Sequence, residues 1–244
     1  MNRRFVASAV ARWHDSGMRV SFDLPLRWAA LLPILALAGG CDTLRRPKPA
    51  TTITVEEPRP GDQWKRVASA DDQERIGRLG LAWQAALSEA NERRSKEVAA
   101  EGPLLEPLSA LPRPHPTPGS YNCRMISLGR KAGKPPAFEK FKPFFCYVLA
   151  DDAGILTIVK QTGSQRPAGR LWEDDNSDRL VFLGSLALGD EKEPLAYGED
   201  PERDTAGVFE RIGPFRWRLV IPWPRSGAKL EVFELTPVAD QPEG

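Results

Sequence analysis

Phe215-Arg216-Trp217-Arg218-Leu219-Val220-Ile221-Pro222-Trp223 decides the fold. Successive side chains of a strand point to opposite faces, so Phe215, Trp217, Leu219, Ile221 and Trp223 share one face and Arg216 and Arg218 take the other. A face carrying that much aromatic and aliphatic surface belongs in an interior. The run is therefore expected to be a strand at the wall of a β core.

The same texture extends in both directions from that run. From Tyr121 onward, short stretches rich in β-branched and aromatic residues alternate with Gly, Pro, Asp and Asn, at about 120–128, 144–150, 154–161, 168–173, 179–187, 206–212, 215–222 and 229–236. Connections such as Asp151-Asp152-Ala153-Gly154, Asp174 to Asp178 and Gly213-Pro214 are too short for a parallel return and force antiparallel neighbours. The expected fold class is mainly β (α+β by content), an eight-stranded antiparallel meander closing into a small barrel or a sandwich that leaves few free edges. In the fifth run Leu180, Phe182 and Leu186 face one way and Val181, Leu183 and Ala187 the other, so both sides are covered. In the last run the apolar register slips from Leu230 and Val232 to Phe233 and Leu235, which predicts a bulge.

The outer cover is expected from a helix upstream. Ser69-Ala70-Asp71-Asp72 supplies an N-cap and first-turn acids, and no proline intervenes as far as Ala99. Ile76, Leu79, Trp83, Leu87 and Ala90 recur at spacings of three and four, forming the apolar stripe of one long N-terminal helix packed against the sheet. Gly102-Pro103 stops it. Six prolines then punctuate an extended connector up to Gly119, which carries His115 as a solvent-exposed loop residue.

Further upstream, Leu31-Leu-Pro-Ile-Leu-Ala-Leu-Ala-Gly-Gly-Cys41 follows an arginine-flanked start with a short apolar core and small residues before a cysteine. The apolar run is about ten residues, too short for the roughly 20 that a spanning helix needs. The stretch resembles the lipobox of bacterial lipoproteins, with Ala38 where that pattern favours leucine. The resemblance implies cleavage before Cys41 and acylation of its sulfur. The expected organisation is a signal peptide over 1–40, a lipidated tether over 41–63, a helix and Pro-rich connector over 64–118, the antiparallel β domain over 119–237 and a tail over 238–244. Met18 stands just ahead of a compact signal and is an alternative start. Asp42 resembles a retention signal for the inner membrane, and the choice between inner and outer membrane stays open.

Residues 1–40 hold five arginines and two aspartates, so their removal turns a formal charge of +1 slightly negative. A near-neutral surface argues against a nucleic-acid partner. Cys123 and Cys146 remain as an even pair in an exported domain and read as one disulfide between strand-like runs.

Four motifs, Tyr121-Asn122-Cys123-Arg124, Lys160-Gln161-Thr162-Gly163-Ser164-Gln165-Arg166, Val181-Phe182-Leu183-Gly184 and Arg216-Trp217-Arg218-Leu219, follow the leader in this order. Together they resemble an uncharacterised bacterial envelope lipoprotein family assigned to a domain of unknown function, over about residues 64–237. The resemblance implies an exported compact domain and carries over no activity. A looser likeness to lipocalin-type barrels rests on architecture alone.

Gly129-Arg130-Lys131-Ala132-Gly133-Lys134 is one residue short of a phosphate loop and reads as a basic turn. Glu173, Asp174, Asp175 and Asp178 match no calcium-loop order and read as an acidic turn. No catalytic residue, metal site or cofactor is expected. The candidate ligand-binding residues are Lys160, Gln161, Gln165, Arg166 and Arg170, where glycines permit close approach and arginines can hold a carboxylate or phosphate at two points. The expected function is a lipid-anchored envelope domain, facing the periplasm, that binds or scaffolds an envelope protein or a small molecule. The alternative is a carboxylate-dependent envelope hydrolase or transferase.

Overall fold

Leu230–Pro237 is hydrogen-bonded along both of its edges, and that double pairing closes the sheet into a barrel. A computed structural model describes residues 60–239 apart from 133, 164, 190, 192 and 193. The expected signal peptide, Cys41 and nearly all of the tether lie outside the described residues, as does the end of the tail. Nine strands form one antiparallel sheet: β1 (Gly119–Leu128), β2 (Phe138–Lys140), β3 (Phe144–Ala150), β4 (Leu156–Lys160), β5 (Gln165–Glu173), β6 (Arg179–Leu188), β7 (Asp204–Gly213), β8 (Arg216–Pro222) and β9 (Leu230–Pro237). Eight of them close through β1–β9. The ninth, β2, extends the line of β3 along the same edge of β1, and its three residues are too few to announce themselves in the sequence.

The interior is filled by alternate positions of the ring, including Tyr121, Val148, Ile158, Leu171, Phe182, Phe209, Trp217, Leu219 and Phe233. Cys123 and Cys146 are bonded within it, with Cα atoms 6.0 Å apart. The opposite parity faces a second core on the outside of the wall. There Ile126, Val181, Leu183, Val208, Val220 and Val232 pack against Trp64, Ile76, Leu79, Trp83 and Ala90 of the helices. The two-sided burial expected of β6 is thus realised with the Trp83 helix as cover.

A single long helix does not form. The N-terminal cover is α1 (Gln63–Val67), α2 (Ala70–Gly77) and α3 (Leu79–Ala99), broken at Arg78 and again at Arg94, where φ is −133° and ψ 29°. Gly77 and Gly80 flank the first break, and glycine is about 1 kcal/mol less favourable than alanine inside a helix. Ser69 does cap α2, accepting from the Asp72 amide at 3.2 Å.

Two other expectations are corrected. The bulge lies between Arg211 and Gly213 in β7, whereas β9 keeps unbroken register with both neighbours. Leu230 and Val232 face the helices while Phe233 and Leu235 face the interior, so the apparent slip is a change of covered face and not of register. The interior face of β8 is also shorter than nine residues imply. Phe215 sits at φ 52° in the turn and is 75% exposed, and Trp223, at φ 49°, turns out to the helix-side core.

Candidate functional site

The far end of the barrel is plugged by the Tyr121 and Trp217 rings, edge to face at 5.9 Å. The near end is open. It holds a cavity of about 300 Å³ walled by inward residues of the strand ends, among them Met125, Pro167, Leu186, Leu188, Ile221 and Phe233. Two charged residues join that wall from inward strand positions. Lys160 stands opposite Cys146 on β3, and Glu231 opposite Ile221 on β8, both partners being interior.

Lys160 ends β4, and its ammonium donates to the Gln165 carbonyl at 2.9 Å while lying 4.4 Å from the centre of the Phe144 ring. Burial pulls its pKa below the ordinary lysine value, Glu231 opposing and Arg166 reinforcing the shift. Burial likewise pushes the Glu231 carboxyl above the ordinary value, against the Ser226 hydroxyl bonded to it and the charges of Lys131 and Lys160. Each group feels the other, yet among the described residues neither closes an ion pair.

The other cations lining the cavity belong to the rim and are already matched. Arg203 pairs with Glu191 at 2.7 Å and Asp200 at 3.1 Å, and Arg225 bonds the Asp204 carbonyl at 3.3 Å and pairs with Glu202 at 3.6 Å. Arg75 pairs with Asp72 at 2.9 Å. The Arg225 contacts tie the end of the connection between β6 and β7 to the turn between β8 and β9.

The five residues singled out by sequence divide between two faces of the wall. Lys160 and Gln165 line the mouth. Gln161 and Arg166 line a second pocket that Lys160 also borders, and Arg166 clamps the backbone carbonyls of Gly163, Gly189 and Glu191. Arg170 stacks over Trp172 at 5.2 Å and reaches Asp151 at 3.8 Å. Three of the four acids at 173–178 serve the fold: Asp174 accepts from Trp64 at 3.2 Å and from Arg179, Asp175 pairs with Lys65 at 2.9 Å, and Glu173 meets His115 at 2.8 Å. The basic turn is held by helix α3 through Glu89 and Glu92, both bonded to Arg130.

Sequence reasoning missed Glu231, although its signal was present. A carboxylate at an interior parity of β9, between Leu230 and Val232, is what made the apolar pattern look slipped. Neither curated proteins nor solved structures yield a match to this chain. Residues 64–235, from α1 into β9, match the family described as Domain of unknown function (DUF4893), and the chain belongs to that family.

Proposed function

We propose that the protein is a binding domain of a cell envelope, moored to a membrane through acylated Cys41 on its periplasmic side, with the open barrel mouth as its ligand site. The observation that carries the binding half is the pair Lys160 and Glu231, turned from inward strand positions toward one cavity beside Met125, Ile221 and Phe233 without an ion pair between them. Burying charge without a partner is unfavourable, and a structural plug would be better built from hydrophobic residues. Groups retained against that cost are the signature of a site, and about 300 Å³ lies at the lower end of the usual range for small molecules. The envelope half is supported by the leader pattern before Cys41 and by a disulfide buried in the domain, a bond that persists in oxidising compartments.

The hydrolase or transferase alternative relied on acids near 174–178, of which Asp174 is engaged with Trp64 and Arg179 and Asp175 with Lys65. Native mass spectrometry of the full chain tests the binding half. A small molecule should be retained and then lost in Leu186→Trp, which fills the mouth, while the melting temperature holds. Retention of the same molecule by the filled variant would refute the mouth as the site. Radiolabelled fatty acid should enter the chain and fail to enter Cys41→Ser.

A further inference from the structure

We infer that the mouth selects an anionic amphiphile, a molecule whose carboxylate head lies on Lys160 and whose apolar body lies along Met125, Ile221 and Phe233. The inference rests on the proposed binding function and adds the class of ligand.

The polar end of the cavity holds the cation Lys160 and the carboxyls Glu231, Asp204 and Glu202. The Lys160 ammonium spends one hydrogen on the Gln165 carbonyl and offers the others, with no acid paired to it among the described residues. The Ser226 hydroxyl already bonds Glu231, and Lys131 and Lys160 add positive potential around that carboxyl. Burial raises the Glu231 pKa, so this carboxyl opposes an arriving anion less than an ordinary carboxylate would. An oxyanion arriving there would accept charge-assisted bonds from Lys160, supplying the counter-charge that this ammonium lacks among the described residues. A ligand ammonium would instead meet Lys160 at close range and displace no existing pair. The guanidinium groups of Arg75, Arg203 and Arg225 at the rim are neutralised by Asp72, Glu191, Asp200 and Glu202, so the head-group preference falls on Lys160.

The rest of the lining is mixed, with Gln165, Glu202, Asp204 and Thr205 on its polar side and a continuous apolar side opposite the charged rim. Leu186, Leu188 and Pro167 complete a lining that offers a chain contact without directional bonds. Leu188 is 37% exposed at the lip, which leaves the cavity open to an entering chain.

Three probes that share a chain and differ in head group separate the possibilities: decanoate, decanol and decylamine, titrated calorimetrically into the full chain below their micelle concentrations. Decanoate should bind roughly tenfold or more tightly than decanol, the size expected of one charge-assisted hydrogen bond, and decylamine more weakly than either. Lys160→Met should abolish the decanoate advantage while leaving decanol affinity and the folded circular-dichroism spectrum unchanged, with Lys160→Gln as a second variant should the first not fold. Leu186→Trp should weaken all three probes. Equal binding of decanoate and decanol, a preference for decylamine, or a decanoate preference that survives both Lys160 variants overturns the head-group inference and leaves the mouth as a binding site. Binding of none of the three, or binding unchanged in Leu186→Trp, overturns the proposed function itself.

Discussion

Arg218 donates through Nε to Glu210 at 2.7 Å, a charged pair directly opposed on β8 and β7, on the outer face of the barrel. Arg218 is 0% exposed and Glu210 6%, so both charges are withdrawn from water. The guanidinium is completed by the carbonyls of Pro103, Leu104, Glu106 and Pro107, at 3.0, 3.1, 2.7 and 3.1 Å, and by the Trp83 ring 5.0 Å away. One side chain thus gathers a strand, a helix and the proline-rich connector. The connector's backbone has few partners of its own, and Arg218 supplies hydrogen bonds that secondary structure would otherwise provide.

Removing one member of such a buried pair leaves the other uncompensated, which costs about 3–5 kcal/mol. Arg218→Leu should therefore destabilise the domain by that order in urea unfolding and expose the connector between Gly102 and Pro118 to proteolysis. Adding Glu210→Leu should recover part of the loss but not all of it, because four carbonyls still lack their donor. A native-like midpoint with an uncut connector in Arg218→Leu would show that the guanidinium does not organise this segment.

How legible this was depends on which face a residue serves. Alternation in β6 and β8 was readable because burial follows parity there, and the eight ring strands fall close to where β-branched and aromatic runs predict them. Arg218 reads in sequence as the polar side of a strand, and nothing local reveals that a segment over a hundred residues earlier folds over it. The helix break at Arg78 was foreshadowed by Gly77 and Gly80, while the one at Arg94 has no such mark. For the site, Lys160 and Gln165 were drawn from a motif whose one arginine, Arg166, serves the outer wall. Glu231 was hidden because an inward charge and a bulge disturb the apolar pattern alike. Closure into a barrel, and hence a mouth, depends on β1 meeting β9, a long-range pairing that no short window contains.

Gly169 and Gly184 stand directly opposite each other on β5 and β6, both facing inward. A Cβ on Gly184 would fall inside the Ala168 carbonyl, and one on Gly169 inside the Leu183 carbonyl, so backbone and not a yielding side chain would have to move. Gly184→Ala should lose about 3 kcal/mol or more, at the upper end of overpacking costs. Gly154→Ala, at a turn with open space around it, should lose less despite its φ of 77°. Comparable unfolding midpoints for the two variants would argue against a pinched wall at that crossing.

Cys123 and Cys146 are 2% and 3% exposed, inside the barrel, and close a loop with a sequence separation of 23. Chain-entropy arguments place the contribution of such a bridge at about 3 kcal/mol. The double variant Cys123→Ala/Cys146→Ala should unfold at correspondingly lower denaturant. In the native protein the bond should resist dithiothreitol until enough urea is added to open the barrel. Rapid reduction under native conditions, followed by thiol labelling, would contradict its burial.

Glu231 gives a pH dependence whose sign can be worked out. Burial raises its folded-state pKa above the unfolded value, so the native chain holds that proton more tightly. The stability linked to the proton is present in acid, below the ordinary carboxylate pKa of about 4.3, and is lost as pH rises through the raised folded value. Glu231→Gln keeps the shape and cannot ionise. It should melt with the parent protein in acid and some few degrees above it at neutral pH, about 2–4 °C for each kcal/mol in a domain of this size. Lys160→Met in the parent background should widen that gap at neutral pH, because the ionised carboxylate then loses one of the two ammonium groups that temper its burial. Melting curves of the parent, Glu231→Gln, Lys160→Met and the double variant from about pH 4 to about pH 8 measure both effects. A stability difference that stays flat across that range, or that is larger in acid, would mean that the carboxyl is solvated and does not line a closed wall.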